Sequence, residues 1–133
     1  MIYLDTAALV KLARIEPESA ALVTWLDAHP SAPLVASALV EVELPRALRR
    51  AEPAALGGAD AVLARLHRVE ITAAVRAAAA TYPDPALRSL DAIHLATAQV
   101  LAAAGRPVSA FVTYDRRLAA AATRLALHVA APG

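Results

Sequence analysis

The residues Ile2-Tyr3-Leu4-Asp5 form an apolar run that ends at a carboxylate. A short run of this kind is typical of a strand buried inside a sheet. Helical patterns follow it at residues 6–14 and 18–28, and His29-Pro30 ends the second of them. This order of strand and helix predicts the first unit of an α/β fold.

The same alternation continues to the end of the chain. Short apolar runs predict further strands at residues 34–36, 69–71, 110–113 and 128–129. Helices are predicted between them at residues 38–51, 60–66, 72–81, 90–104 and 115–125, and Glu52-Pro53 and Gly57-Gly58 predict loops. We therefore expect an α/β three-layer sandwich, in which a short parallel sheet of about four to five strands is flanked by helices.

Two details of the helices follow from local pattern. Ser37 and Ser89 are the expected N-caps of the helices that follow them. The helix at residues 90–104 has an apolar period that predicts one buried face. That face is expected to consist of Leu90, Ile93, Thr97, Val100, Leu101 and Ala104.

Composition limits the class of protein. The 133 residues fit one domain, which we expect to span residues 1–133. The absence of cysteine excludes disulfides and thiolate metal sites. The apolar stretches are interrupted before the roughly 18–20 residues that span a bilayer, and no apolar signal core follows Met1. These features predict a soluble cytoplasmic protein with no membrane association.

Four acidic residues fall where a parallel sheet would bring them together. Asp5 ends the first strand, and Asp115 lies just beyond the strand at residues 110–113. Asp91 lies in the first turn of its helix, and Glu43 lies in the helix after the second strand. Ligands of open α/β sheets bind at the carboxyl ends of the strands, so we expect the four acids to meet there.

Each acid also has a structural alternative. Asp5 and Asp115 are suitable N-caps, and Asp91 is favoured near a helix N-terminus whatever its function. Glu43 has the spacing of a surface ion pair with Arg46. The four positions taken together favour a site over four unrelated surface roles.

The chain resembles the PIN domains and, within that superfamily, the VapC toxins of bacterial toxin–antitoxin pairs. Four blocks carry the resemblance, in the same order as in the family. They are YLDTAALVKL at residues 3–12, SAL at 37–39 with Glu43 and RAL at 46–48, LDAIHLATA at 90–98, and VTYDRRL at 112–118.

The resemblance implies a PIN-like fold and a metal-dependent endoribonuclease. Asp5, Glu43, Asp91 and Asp115 fall on the family's acidic metal-binding positions, with Thr6 and Thr113 as supporting hydroxyls. The implied cofactor is Mg²⁺ or Mn²⁺, which prefers oxygen ligands and activates water for hydrolysis of an RNA phosphodiester. We expect Asp5 and Asp91 to bind one ion directly, with Glu43 and Asp115 acting through water or holding a second ion.

The family also implies partners. A VapC toxin pairs with a VapB-type antitoxin, and homodimers are usual in the family. RNA is the expected substrate, with Arg46, Arg50 and Arg116 as candidate phosphate contacts. Solvated positions on helix faces are an equal alternative for these arginines.

Two assignments stay open at this level. Glu41 and Glu43 lie about 200° apart around one helix, so at most one faces the site, and only the family spacing selects Glu43. His94 has the three-residue spacing from Asp91 that suits a metal, but a packed core histidine is the more frequent arrangement on an apolar helix.

Other functions are weighed by the residues that they require. A haloacid-dehalogenase-type phosphatase needs a second Asp at position 7, which is alanine, and a receiver domain needs a late lysine, whereas Lys11 is the only lysine. A PIN-fold interaction module without catalysis is disfavoured by the presence of all four acids. A PIN nuclease that works outside a toxin–antitoxin pair remains an alternative.

Overall fold

A single parallel sheet organises the protein. The computed structural model describes all residues from Met1 to Gly133, and its five strands run parallel in the order β3-β2-β1-β4-β5. The strands are β1 (Ile2–Leu4), β2 (Leu34–Ser37), β3 (His67–Val69), β4 (Ala110–Val112) and β5 (Val129–Ala130). Parallel neighbours require crossover connections, which the helices provide.

Seven α-helices connect these strands. They are α1 (Thr6–Ala13), α2 (Ser19–Asp27), α3 (Val40–Ala51), α4 (Ala59–Ala64), α5 (Ala73–Ala80), α6 (Ser89–Ala103) and α7 (Arg116–Arg124). A 3₁₀ helix at Pro53–Gly58 joins α3 to α4, where the sequence predicts loops. None of these helices combines the length and the apolar character that a membrane span requires.

The strand β1 divides the core into two parts. Successive side chains of a strand point to opposite faces, so Ile2 and Leu4 join one apolar cluster and Tyr3 joins the other. Helices α1 to α4 cover the first face, while α6 and α7 cover the second and α5 packs against α6. Helices therefore lie on both sides of the sheet, which confirms the predicted three-layer α/β sandwich.

The two predicted serine caps are wrong. Ser37 is the last residue of β2 and pairs with Val69, so α3 begins only at Val40. The Ser37 hydroxyl accepts a hydrogen bond from the Leu39 N–H in the connecting turn. Ser89 is already helical, and Arg88 occupies the N-cap position of α6 without a side-chain capping bond.

The predicted buried face of α6 is also wrong in part. Leu90 is 48% exposed, whereas Ala92, His94, Leu95, Ala96 and Ala98 are buried. The helix lies between the sheet and α5, so it is covered on two sides and does not show the period of a helix with a single buried face. The third strand likewise lies at His67–Val69, two residues before its predicted position, because it pairs with Val35–Ser37.

The neighbouring positions Leu22 and Val23 test the burial of α2. Leu22 is fully buried, whereas Val23 is 43% exposed. We expect Leu22→Ala to lower the free energy of unfolding by about 2–5 kcal/mol. The control Val23→Ala changes it by about 0.5 kcal/mol or less. Urea denaturation measures both, and equal losses would contradict the orientation of α2.

Candidate active site

Asp5 lies at the end of the central strand and begins α1. Its Oδ1 accepts a hydrogen bond from the Ala8 N–H at 2.9 Å, and its Oδ2 accepts one from the Thr113 hydroxyl. The side chain is only 3% exposed. Burial raises the pKa of Asp5, against the lowering effect of these two hydrogen bonds. The protein therefore holds an ionisable group in a place where its charge is poorly solvated.

Asp115 reaches the same edge from the neighbouring strand β4. It is the N-cap of α7, and its Oδ1 accepts from the Arg117 and Leu118 N–H groups at 2.8 and 2.9 Å. The Thr113 hydroxyl, which donates to Asp5, also accepts from the Asp115 N–H at 3.1 Å. Thr113 thus links Asp5 and Asp115 through two hydrogen bonds on the side away from the cleft.

Glu43 approaches from α3 and is held through one oxygen. Its Oε1 accepts from the Thr6 hydroxyl and from His94 Nε2, each at 2.7 Å. Burial acts to raise the pKa of Glu43, but the hydrogen bonds from His94 and Thr6 hold it below its ordinary value. The Oε2 atom makes no hydrogen bond to the protein and remains available to a ligand.

Glu41 takes a different direction from the same helix. It is exposed and pairs with Arg68 on β3 at 3.1 Å. It does not line the cleft into which Glu43 points. The helical period alone cannot tell which of the two acids faces the site. The structure shows that Glu43 lines the cleft and Glu41 does not.

His94 is buried, and it is also part of the acidic site. Only 2% of the residue is exposed, and its Nδ1 lies 2.8 Å from the Tyr3 hydroxyl. Burial raises the pKa of the Tyr3 phenol, so this hydroxyl stays protonated. The two alternatives weighed from the sequence, metal ligand or apolar core residue, both miss the carboxylate that His94 contacts. The signal was its three-residue spacing from Asp91, which places both residues on one side of α6.

Arg88 lies between the two remaining acids and was not predicted. Its Nε is 3.1 Å from Asp91 Oδ2, and its Nη2 is 3.6 Å from Asp115 Oδ2. The Arg88 side chain is 68% exposed, so it can leave without unpacking the core. The sequence signal was again a spacing of three residues, from Arg88 to Asp91.

These residues line one cleft of about 260 Å³ at the carboxyl edge of the sheet. Its walls are Asp5, Thr6, Ala7, Val10, Glu43, Ala47, Arg50, Arg88, Asp91, His94 and Asp115. All four predicted acids are therefore brought together, along with Thr6 and Arg50. Thr113 lies behind Asp5, while Arg46 and Arg116 are exposed and outside the walls of the cleft.

The donor set fits a hard divalent cation. Every acidic ligand offers oxygen, which Mg²⁺ and Mn²⁺ prefer, and neither cysteine nor a zinc-type histidine cluster is present. In this arrangement no three acidic or histidine side chains lie close enough to share one ion. The Arg88 guanidinium lies between Asp91 and Asp115 and supplies the positive charge there, so the residue types fit such a cation although their present spacing does not bring three of them together.

The fold and the cleft together define a parallel α/β domain with an acidic cleft at the carboxyl edge of its sheet. The family model of the PIN domain matches residues 2–124. The chain belongs to the PIN domain family, as its resemblance to PIN domains predicts.

The chain is similar to curated proteins over its whole length. It is 59% identical over 133 residues to Ribonuclease VapC35 of Mycobacterium tuberculosis (strain ATCC 25618 / H37Rv), covering 100% of this chain and 98% of the relative. It is 41% identical over 136 residues to Ribonuclease VapC47 of M. tuberculosis (strain CDC 1551 / Oshkosh), with coverage of 100% and 98%. These relatives confirm the predicted VapC type.

Two solved structures share the fold. M. tuberculosis VapC20, described as a Sarcin-Ricin loop cleaving toxin, aligns with a TM-score of 0.70 and 19% identity, covering 91% of this chain and 95% of that one. VapBC2 from Rickettsia felis, bound to a DNA fragment from its promoter, aligns with a TM-score of 0.68 and 17% identity over the full length of both chains. At these identities the likeness concerns the fold alone.

The pKa shifts of Asp5 and Glu43 have opposite signs and predict opposite effects on stability. Asp5 has a raised pKa in the folded state, so its ionisation at neutral pH opposes folding. In EDTA at pH 7 we expect Asp5→Asn to unfold at a higher temperature than the parent. Since both forms are neutral well below the ordinary Asp pKa of about 4, the difference disappears in acid.

Glu43→Gln is expected to lower the unfolding temperature under the same conditions. Its folded pKa is lowered, so the ionised group stabilises the fold above its ordinary pKa of about 4.3 and loses this effect as the pH falls through the folded value. Thermal unfolding followed by circular dichroism measures both variants. A shift of the same sign for the two would contradict this electrostatic picture.

Proposed function

We propose that this chain is an endoribonuclease that hydrolyses RNA phosphodiesters with Mg²⁺ or Mn²⁺, and that it is the toxin of a VapBC-type pair. The observation that carries the proposal is the meeting of Asp5, Glu43, Asp91 and Asp115 in one cleft. It is supported by 59% identity over the full length to a relative named as a ribonuclease.

The acids have separate roles in this proposal. Asp5 and Asp91 would hold the metal directly, and Glu43 and Asp115 would act through water or hold a second ion. When bound, the cation supplies a positive charge for the phosphate and lowers the pKa of water. Thr113 and the Ala8 N–H keep Asp5 in place, and Thr6 does the same for Glu43.

The cleft also offers contacts for a phosphate backbone. Arg50 and Arg88 are the two arginines in its walls, and Arg46 and Arg116 extend positive charge along the flanking helices. Contacts of this kind position RNA without reading its sequence.

The proposed partners are a VapB-type antitoxin and a second copy of the chain. The VapC type of the relatives and the VapBC2 assembly of R. felis support the first of these. A nuclease outside any such pair is the alternative with the same chemistry. An interaction module without catalysis would not require four convergent carboxylates.

RNA cleavage by purified protein tests the chemistry. We expect cleavage in Mg²⁺ or Mn²⁺ that stops in EDTA, and a loss of at least about 100-fold in Asp5→Asn and Asp91→Asn. Glu43→Gln is expected to lose activity, whereas the matched control Glu41→Gln keeps it because that acid faces Arg68 outside the cleft. Full cleavage in EDTA, or in either Asp→Asn variant, contradicts the proposal.

The Arg88 guanidinium is paired with both Asp91 and Asp115 and is expected to compete with a metal for them. Exposed ion pairs are worth about 0.2–1 kcal/mol, so its removal should tighten metal binding only modestly. We expect Arg88→Ala to bind Mn²⁺ about two- to fivefold more tightly at low ionic strength, with Arg88→Lys close to the parent. Titration followed by electron paramagnetic resonance measures this, and unchanged or weaker binding in Arg88→Ala would show that the guanidinium does not compete.

A further inference from the structure

Glu43 differs from the other acids in the way it is held. Asp5 and Asp115 are short side chains fixed by N–H groups of the helices that they cap. Glu43 has a longer side chain on α3 that makes no hydrogen bond to the backbone, so it loses more rotamer freedom when it is ordered. Its orientation therefore depends on the side chains of Thr6 and His94.

We propose that His94, held in turn by Tyr3, is a positioning residue that orients the Glu43 carboxylate toward the metal. This inference rests on the proposed nuclease function. His94 and Tyr3 act through Glu43, by fixing which of its two oxygens faces the cleft.

The direction of the His94 hydrogen bond follows from chemistry. An ionised carboxylate only accepts hydrogen bonds, so the hydrogen between the two groups belongs to His94 Nε2. The other ring nitrogen, Nδ1, lies against the Tyr3 hydroxyl, which is able to donate or accept. The ring is therefore held at both nitrogens, whichever protonation state it adopts.

Tyr3 anchors this arrangement to the sheet. Its hydroxyl oxygen accepts from the Ser37 N–H at 3.1 Å, at the end of β2. Its ring stacks on Phe111 of β4 with centroids 5.0 Å apart, and the edge contact to His94 has centroids 5.9 Å apart. Tyr3 and Phe111 are fully buried, so the position of His94 is set by three neighbouring strands.

The two carboxylate oxygens of Glu43 therefore have different surroundings. Oε1 receives hydrogen bonds from both Thr6 and His94, while Oε2 has no protein partner. Residues that hold metal ligands in this way typically contribute about 10- to 100-fold in affinity or activity. His94 Nε2 also lies 3.3 Å from the Thr6 hydroxyl, which holds the same Glu43 oxygen. Loss of His94 should therefore act mainly through Glu43.

A double-mutant cycle tests this dependence. Mn²⁺ affinity and the kcat and KM for an RNA oligonucleotide are measured for the parent, His94→Leu, Glu43→Gln and the double variant. We expect His94→Leu to lower kcat by about 10- to 100-fold and to weaken Mn²⁺ binding, with little change in KM. In the Glu43→Gln background, His94→Leu should lower kcat by less than about twofold, because the carboxylate that His94 orients is already absent.

Two further variants separate positioning from packing. His94→Gln keeps an N–H donor at a similar reach and is expected to restore most of the lost kcat. Leu101→Ala, a buried truncation two turns further along α6, destabilises the protein but keeps kcat at a temperature where it is folded. Equal losses from His94→Leu in both Glu43 backgrounds, or an equal loss in Leu101→Ala, would overturn the proposal.

The same series distinguishes this inference from the proposed function. Absence of metal-dependent cleavage by the parent protein would refute the nuclease, and with it the role of His94 in catalysis. Cleavage that is lost in Glu43→Gln but intact in His94→Leu would refute the positioning role alone.

Discussion

The burial of the Asp5 carboxylate at the end of the central strand is the constraint on which the site depends. Charge in such a place is costly unless it is hydrogen-bonded. Here the first turn of α1 and the Thr113 hydroxyl provide the hydrogen bonds. The Ala8 N–H belongs to the helix that Asp5 caps. The Thr113 hydroxyl reaches Asp5 because β1 and β4 are neighbours with the register Leu4 to Val112. The order of the strands and the chemistry of the site are therefore linked.

Glu43, Asp91 and Asp115 lie around Asp5, and the protein pairs these three acids with partners of two kinds. On one side, Glu43 is held by Thr6 and by a histidine that is tied to the sheet through Tyr3. On the other, Asp91 and Asp115 share the exposed guanidinium of Arg88. The histidine that holds Glu43 is buried, whereas the arginine that pairs with Asp91 and Asp115 is open to solvent. In the proposed function, a cation would bind beside Arg88 while Glu43 keeps its orientation.

Much of this was predictable from the sequence, for physical reasons. Asp5 and Asp115 follow apolar runs, and parallel strands bring such positions to one edge. Glu43 could not be separated from Glu41 because both flank the apolar face of α3, and only the packed helix shows which one meets α6. The contact between Tyr3 and His94 joins residues 91 positions apart, so no local pattern predicts it. The buried face of α6 was predicted wrongly in part because the sheet and α5 both cover the helix. A helical period of apolar residues describes only one buried face.

Anomalous scattering from crystals grown with Mn²⁺ would show whether the acidic cleft binds a metal. We expect a single strong peak or a close pair in the cleft, with Asp5 and Asp91 oxygens about 2.0–2.3 Å away and the Arg88 side chain moved from between Asp91 and Asp115. A cleft without anomalous density, in which Arg88 keeps both ion pairs at saturating Mn²⁺, would contradict this expectation.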